Sequence, residues 1–282
     1  MPIKKTILAL ALLGTILFIQ SCFQFRTSDR KQYKELEEIQ THCYVEISAK
    51  QVDTRTIHYT LVVSDSTNPL AVFVHGSPGS SGNFIQFAKD SSLLKKYNVL
   101  LVDRPGFGYS DFGNPEPSIG KQAEILNDFL NQFIFSEKIL IGHSLGGPII
   151  CRMAMNEPEM YDGMFIVAGS VSPELEPEEK WRMTLAKRWI RWILPNTLDV
   201  SNQEILPARA ELEKMVQLWP KITCKVLIMQ GGEDDLVPPG NADYAEEKLV
   251  NAVSVEVIRL LKENHFIPFT KPELITQALL RF

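Results

Sequence analysis

Gly142-His-Ser-Leu-Gly146 is the stretch from which chemistry can be argued first. An apolar burst running to Ile141 leads into it, and Pro148-Ile-Ile-Cys-Arg-Met-Ala154 leads out. That order is strand, G-x-S-x-G turn, helix, the setting in which a serine is held exposed on a sharp turn and can act as a nucleophile. Gly142 and Gly146 fit such a turn because a Cβ at either place would collide with the neighbouring strand or helix. Pro148 falls in the first helical turn, where a missing N–H costs little. The same five residues also fit a serine that merely caps a helix, so Ser144 needs partners elsewhere.

A serine hydroxyl is a poor nucleophile until a base takes its proton, and the base needs a carboxylate to fix its tautomer. Five histidines are present. His42 lies in a polar N-terminal region, His58 inside an early strand, His75 in the loop after the first fully apolar strand, and His143 beside the nucleophile rather than facing it. His265, in Lys262-Glu-Asn-His-Phe-Ile-Pro268, follows the last strand and is the best base. The carboxylate should follow the penultimate strand, where Gln230-Gly-Gly-Glu-Asp-Asp-Leu-Val-Pro238 offers Glu233, Asp234 and Asp235. Only one of three consecutive side chains can point at His265, and the residues alone barely separate them.

The elements that must position these groups are legible as runs. Tyr44–Ser48 and Thr56–Val63 alternate like antiparallel strands. Leu70–Val74, Val99–Val102, the run ending at Ile141, Gly163–Val167 and Val226–Met229 are short apolar runs suited to strands buried on both faces, and Ser254–Leu261 is the last strand. Helical spacing appears from Ser118 (Ile119, Ala123, Leu126, Phe129, Leu130, Phe133), over Asn241–Leu249, and from Pro272 (Leu274, Ile275, Ala278, Leu279, Phe282). Strands alternating with amphipathic helices predict an α/β chain, a mostly parallel sheet covered by helices on both faces. In such sheets chemistry collects at the carboxyl ends of the strands, where each Gly-rich or polar cluster here falls.

Composition narrows the field. The 282 residues are 45% hydrophobic and 22% charged, enough for a large buried core, and the net charge of −5 with no basic block in the body argues against nucleic acid. Cys22, Cys43, Cys151 and Cys224 form no C-x-x-C pair, so neither a metal site nor dithiol chemistry is expected. No phosphate loop, haem, flavin or metal signature implies a cofactor. Residues 1–21 read as a secretory leader: Lys4 and Lys5, then a short apolar run from Ile7 to Ile19, too short to span a bilayer. Ile19-Gln-Ser-Cys22 resembles a bacterial lipoprotein processing site, with Cys22 as the lipidated residue and Gln20 an unusual occupant. An uncleaved anchor or simple secretion are the other readings. All three place the body outside the cytoplasm, and an N-terminal lipid or anchor would hold it at a membrane. Residues 22–42 read as a tether with room for one helix.

Taken together, the motifs resemble those of the α/β-hydrolase fold superfamily from about Tyr44 to Phe282. Gly142-His-Ser-Leu-Gly146 is similar to its elbow, Asn264-His-Phe266 to its catalytic-histidine loop, and His75-Gly-Ser-Pro-Gly79 to its oxyanion segment. Asp103-Arg-Pro-Gly-Phe-Gly-Tyr-Ser110 is similar to its D-x-x-G-x-G-x-S loop, read as structural, and Gly231–Pro238 to its G-x-x-D-x-x-V-P segment, which selects Asp234. The resemblance implies a catalytic set of Ser144, Asp234 and His265, with the backbone N–H groups of Ser77 and Leu145 as the oxyanion hole. It implies a carboxylesterase-like serine hydrolase acting on a small-molecule acyl substrate. A serine nucleophile argues against the dehalogenase and epoxide-hydrolase branches, which use a carboxylate there. The core is expected at 43–169 and 224–282, with a helical cap inserted at 170–223. Trp181, Leu185, Trp189, Trp192 and Ile193 would share one face of a cap helix; that face would pack on the body, line an acyl pocket, or meet amphipathic substrates at a membrane. Cleavage of a C–C or amide bond by the same three residues, and a non-catalytic envelope binding protein, are the competing functions.

Overall fold

The computed structural model describes residues 23–282, so the leader and Cys22 lie outside the described residues. Eight strands form one sheet: β1 Tyr44–Val52, β2 Arg55–Val63, β3 Leu70–Val74, β4 Asn98–Val102, β5 Lys138–His143, β6 Gly163–Val167, β7 Lys225–Gly231 and β8 Ser254–Leu260. Their spatial order is β1-β2-β4-β3-β5-β6-β7-β8. The β1–β2 hairpin and the β2–β4 pairing are antiparallel, and every other neighbour is parallel. The longer helices are α1 Asp29–Glu35, α2 Ile119–Leu130, α3 Gly146–Asn156, α4 Asn196–Ile205, α5 Ala208–Glu213, α6 Gly240–Lys248 and α7 Pro272–Arg281.

Successive side chains of a strand point to opposite faces, and the central strands bury both. In β3, Leu70, Val72 and Val74 join the layer formed with Ala123, Leu126 and Phe129 of α2 and Ile149, Ile150 and Met153 of α3. Ala71 and Phe73 join the opposite layer with Ile275 and Leu279 of α7. The two-sided burial explains why these strands read as unbroken apolar runs. Ser118 caps α2 through its hydroxyl, which accepts from the Lys121 amide at 3.3 Å and satisfies a donor the helix cannot.

Two expectations are corrected. The segment 23–42 is no free tether: α1 docks on the sheet, Gln32 accepts from the buried Thr60 hydroxyl at 2.9 Å, and Leu36 is fully buried. Its sparse apolar positions misled the reading because much of the seal is polar: Asp29 lies 3.2 Å from His58, and the Tyr33 hydroxyl accepts from the Ile47 amide at 3.1 Å. Nor does the tryptophan-bearing stretch form one helix. Arg182–Leu185 and Arg188–Arg191 are separate single turns, and Trp181, Trp189 and Trp192 stand exposed. The rest of 170–223 is better integrated. Leu212, Met215 and Trp219 belong to the main core, and the Ser118 hydroxyl donates to Glu211 of α5 at 2.7 Å.

Candidate active site

Ser144 sits between β5 and α3 with φ at +55°, the left-handed region that costs a side-chain-bearing residue energy. The turn is held by the Ser144 amide donating to Val167 O at 3.1 Å and by Gly147 donating back to Ser144 O at 2.9 Å. Crowding explains both glycines: a Cβ on Gly142 would lie 2.5 Å from Gly146 O, and one on Gly146 would lie 2.3 Å from Val74 O.

Beyond β7, Asp234 is buried while its neighbours Glu233 and Asp235 are exposed. Asp234 Oδ2 lies 2.9 Å from His265 Nδ1, and its Oδ1 accepts the amides of Leu236 at 3.0 Å and Val237 at 2.8 Å. Burial works against its charge, but His265 and these amides outweigh it and hold the carboxyl below its usual range. A carboxylate facing Nδ1 keeps the proton there and leaves Nε2 as an acceptor. His143 donates from Nε2 to the His265 carbonyl at 3.0 Å, fastening the histidine loop to the elbow. Burial, and then any charge on His265, push the His143 pKa down to about 3, so it stays neutral.

Ser144, Leu145, Ser77 and His265 open onto one cavity of about 540 Å³, also lined by His75, Gly76, Glu176, Arg182, Phe266 and Phe269. The loop after β3 crosses directly over the serine, since a Cβ on Gly76 would be 2.8 Å from Ser144 Cβ. Among the described residues neither the Ser77 nor the Leu145 amide has an intramolecular acceptor. The Ser77 hydroxyl donates to Ser201 of α4 at 2.9 Å, which ties this loop to the cap.

A buried arginine fixes the loop. Arg104 donates from Nε to His75 O at 2.8 Å and from Nη2 to Gly76 O at 2.9 Å. Its other edge meets Glu204 of α4 in a two-pronged pair at 2.7 and 2.9 Å. Sequence reasoning missed this pair. Arg104 stands in a recognisable loop, but no local pattern announces a carboxylate a hundred positions away. Asp103 is structural, as expected. It accepts from the Ser81 amide at 2.6 Å and the Tyr109 amide at 2.9 Å and contacts His58 at 2.8 Å.

The proposed pocket residues Trp181, Trp189 and Trp192 are corrected here. None of them lines the cavity; Trp189 and Trp192 border a separate open hollow with Arg188, Arg191 and Asp199. Helical periodicity located an apolar stripe, but the chain breaks into two turns and leaves it facing outward. The cap contributes Glu176, Glu179, Arg182 and Ile205 to the cavity instead.

Residues 69–205, just under half of the chain, match the α/β hydrolase fold family, and the chain has the α/β hydrolase fold. A diacylglycerol lipase of Mus musculus, named sn-1-specific, is 32% identical over 117 residues, which cover 42% of this chain and 37% of that protein. The match thus spans little more than a third of that relative. Among solved structures, an esterase from Exiguobacterium antarcticum superposes with a TM-score of 0.65 at 20% identity, covering 83% of this chain and 97% of its own. A membrane phospholipase A, described as a bacterial virulence factor, superposes with a TM-score of 0.62 at 18% identity, covering 99% and 96%. At these identities the likeness is one of fold.

Proposed function

We propose that the protein is a serine hydrolase of acyl bonds, carboxylesterase-like, with Ser144 as nucleophile, His265 as base and Asp234 as the orienting acid. One observation carries the reading. A serine at positive φ shares a cavity with a histidine whose far nitrogen is held at 2.9 Å by a buried carboxylate. His265 Nε2 takes the hydroxyl proton as Ser144 Oγ bonds to the acyl carbon. The amides of Ser77 and Leu145 receive the developing oxyanion, each donor contributing about 3 kcal/mol to lowering the barrier. The imidazolium returns the proton to the leaving alcohol, and water, activated by the same nitrogen, releases the acid and restores the serine.

An ester substrate is supported by the lipase and esterase names among the similar proteins. A membrane location is supported by the apolar leader ending at Cys22, and by likeness to a membrane phospholipase A along 99% of the chain. The protein is accordingly read as held at the cell envelope, with its catalytic body outside the cytoplasm. A panel of chromogenic esters of increasing acyl length tests the activity. The wild type should release a burst of alcohol stoichiometric with enzyme before steady turnover. Turnover of no ester by folded protein would reject the reading, and turnover undiminished in Ser144→Ala would reject the assigned nucleophile.

A further inference from the structure

The cap arm 180–193 reads Lys-Trp-Arg-Met-Thr-Leu-Ala-Lys-Arg-Trp-Ile-Arg-Trp-Ile, with five basic residues and no acidic one. Its large apolar side chains face water: Trp189 is 68% exposed and Trp192 73%, and Trp181, Met183 and Ile193 are also exposed. Arg182 and Arg191 are paired with Glu179 and Asp199, whereas Lys180, Lys187 and Arg188 are exposed and make no ion pair among the described residues. Trp189 and Trp192 border one hollow, and exposed indoles grouped beside unpaired cations mark a surface built for a partner. Indoles favour the boundary between headgroups and acyl chains, and lysine and arginine beside them favour anionic headgroups.

The chain's own path supplies the second observation. The Thr197 hydroxyl of α4 donates to Gln24 O at 2.9 Å, so the polypeptide joins the fold at the cap. Phe25 lines the active-site cavity together with Arg182, whose guanidinium stacks on Trp181 at 4.5 Å. Cys22, where the apolar leader ends, is separated from Gln24 by no more than roughly 7 Å of extended chain. Whatever holds the leader in a bilayer therefore holds it beside this arm and beside the cavity mouth.

We propose that residues 180–193 form a membrane-docking surface that lays the mouth of the active-site cavity against an anionic lipid bilayer. Trp189, Trp192 and Met183 enter the interface, and Lys180, Lys187 and Arg188 meet the headgroups. This deepens the proposed function: an ester carried by a lipid reaches Ser144 without crossing water. It rests on the membrane-held hydrolase reading.

The test uses the full chain in nanodiscs of phosphatidylcholine and phosphatidylglycerol whose acyl chains carry bromine, with tryptophan emission as the readout. Bromine should quench most of the emission and spare Trp219, which is buried in the core. Trp189→Ala/Trp192→Ala should remove most of the quenching while turnover of a water-soluble ester stays within about twofold. Lys187→Gln/Arg188→Gln, or discs of phosphatidylcholine alone, should reduce it. Emission insensitive to bromine overturns the proposal, as does quenching equal in charged and uncharged discs. A tryptophan-dependent dimer in lipid-free detergent would also overturn it, since a second copy would then own the surface. Fluorophosphonate labelling of Ser144 in the same samples separates the failures. Label without quenching defeats only the docking surface, and quenching without label defeats the hydrolase.

Discussion

The wall that carries Ser144, Asp234 and His265 and the cap arm that carries three of the four tryptophans obey opposite rules. In the wall the atoms that orient the site are engaged within the protein. Asp234 takes two amides and an imidazole, His143 pins the His265 carbonyl, and Gly142 and Gly146 leave no room for a Cβ. In the arm most of the indole surface faces outward, and the stacking of Arg182 on Trp181 joins two residues of the arm itself. A region that must hold three side chains in register is built from contacts inside the protein. A region left bare is built for contacts outside it. Arg104 and Glu204 join the wall to the part of the cap beyond the arm, with one end on the loop over Ser144 and the other on α4.

The sharpest break of this contrast lies within the wall. Asp234→Asn should lower kcat about 10⁴-fold by favouring the wrong imidazole tautomer. Asp235→Asn, one residue on and exposed, should leave kcat within severalfold, and the reverse ranking would misplace the acid. Next comes the joint. Glu204→Ala leaves the fully buried Arg104 guanidinium uncompensated and should cost about 3–5 kcal/mol in urea unfolding. A loss near zero would mean that the pair does not couple cap to core.

Acid should destabilise the fold through the histidines buried in and beside the wall. His75 and His143 both have pKa values pushed down to about 3 from 6.5, chiefly by burial. Between those values the unfolded chain binds protons that the folded chain refuses, so stability falls as pH drops from 6.5 towards 3. Each histidine contributes a slope of up to about 1.4 kcal/mol per pH unit. His143→Gln should flatten the dependence of unfolding free energy on pH by that share, and an unchanged slope would contradict the burial argument. The smallest effect belongs to the arm. Trp189→Ala/Trp192→Ala should shift unfolding free energy in lipid-free solution by no more than about 0.5 kcal/mol, as expected for surface positions. A loss of several kcal/mol would show that these indoles pack on the body after all.

The wall was far more legible in the sequence than the arm, and the reason is physical. A strained turn restricts which residues can stand beside it, so Gly142, Ser144 and Gly146 carry their geometry in their identities. The five central strands could be placed because two-sided burial writes unbroken apolar runs, whereas β1 and β2 showed as alternation. Asp234 was not separable from Asp235 by residue type alone; burial of one and exposure of the other separates them, and that depends on how the loop folds back over β7 and β8. The arm's stripe was legible as a period, but a period cannot say which side faces the protein. The Arg104–Glu204 pair was illegible because its partners meet only once the cap has closed over the sheet. The docking of α1 rests on Leu36 and on polar contacts from Asp29, Gln32 and Tyr33, which leave no apolar stripe to stand out from a polar segment.

The central claim is that Ser144, and no other serine, is made nucleophilic by His265 and Asp234. Intact-mass and peptide mapping after incubation with a fluorophosphonate tests it most directly. One phosphonyl adduct on Ser144 is predicted, absent in Ser144→Ala and formed far more slowly in His265→Ala. An adduct on a different residue, or none on a protein shown to be folded, would contradict the account.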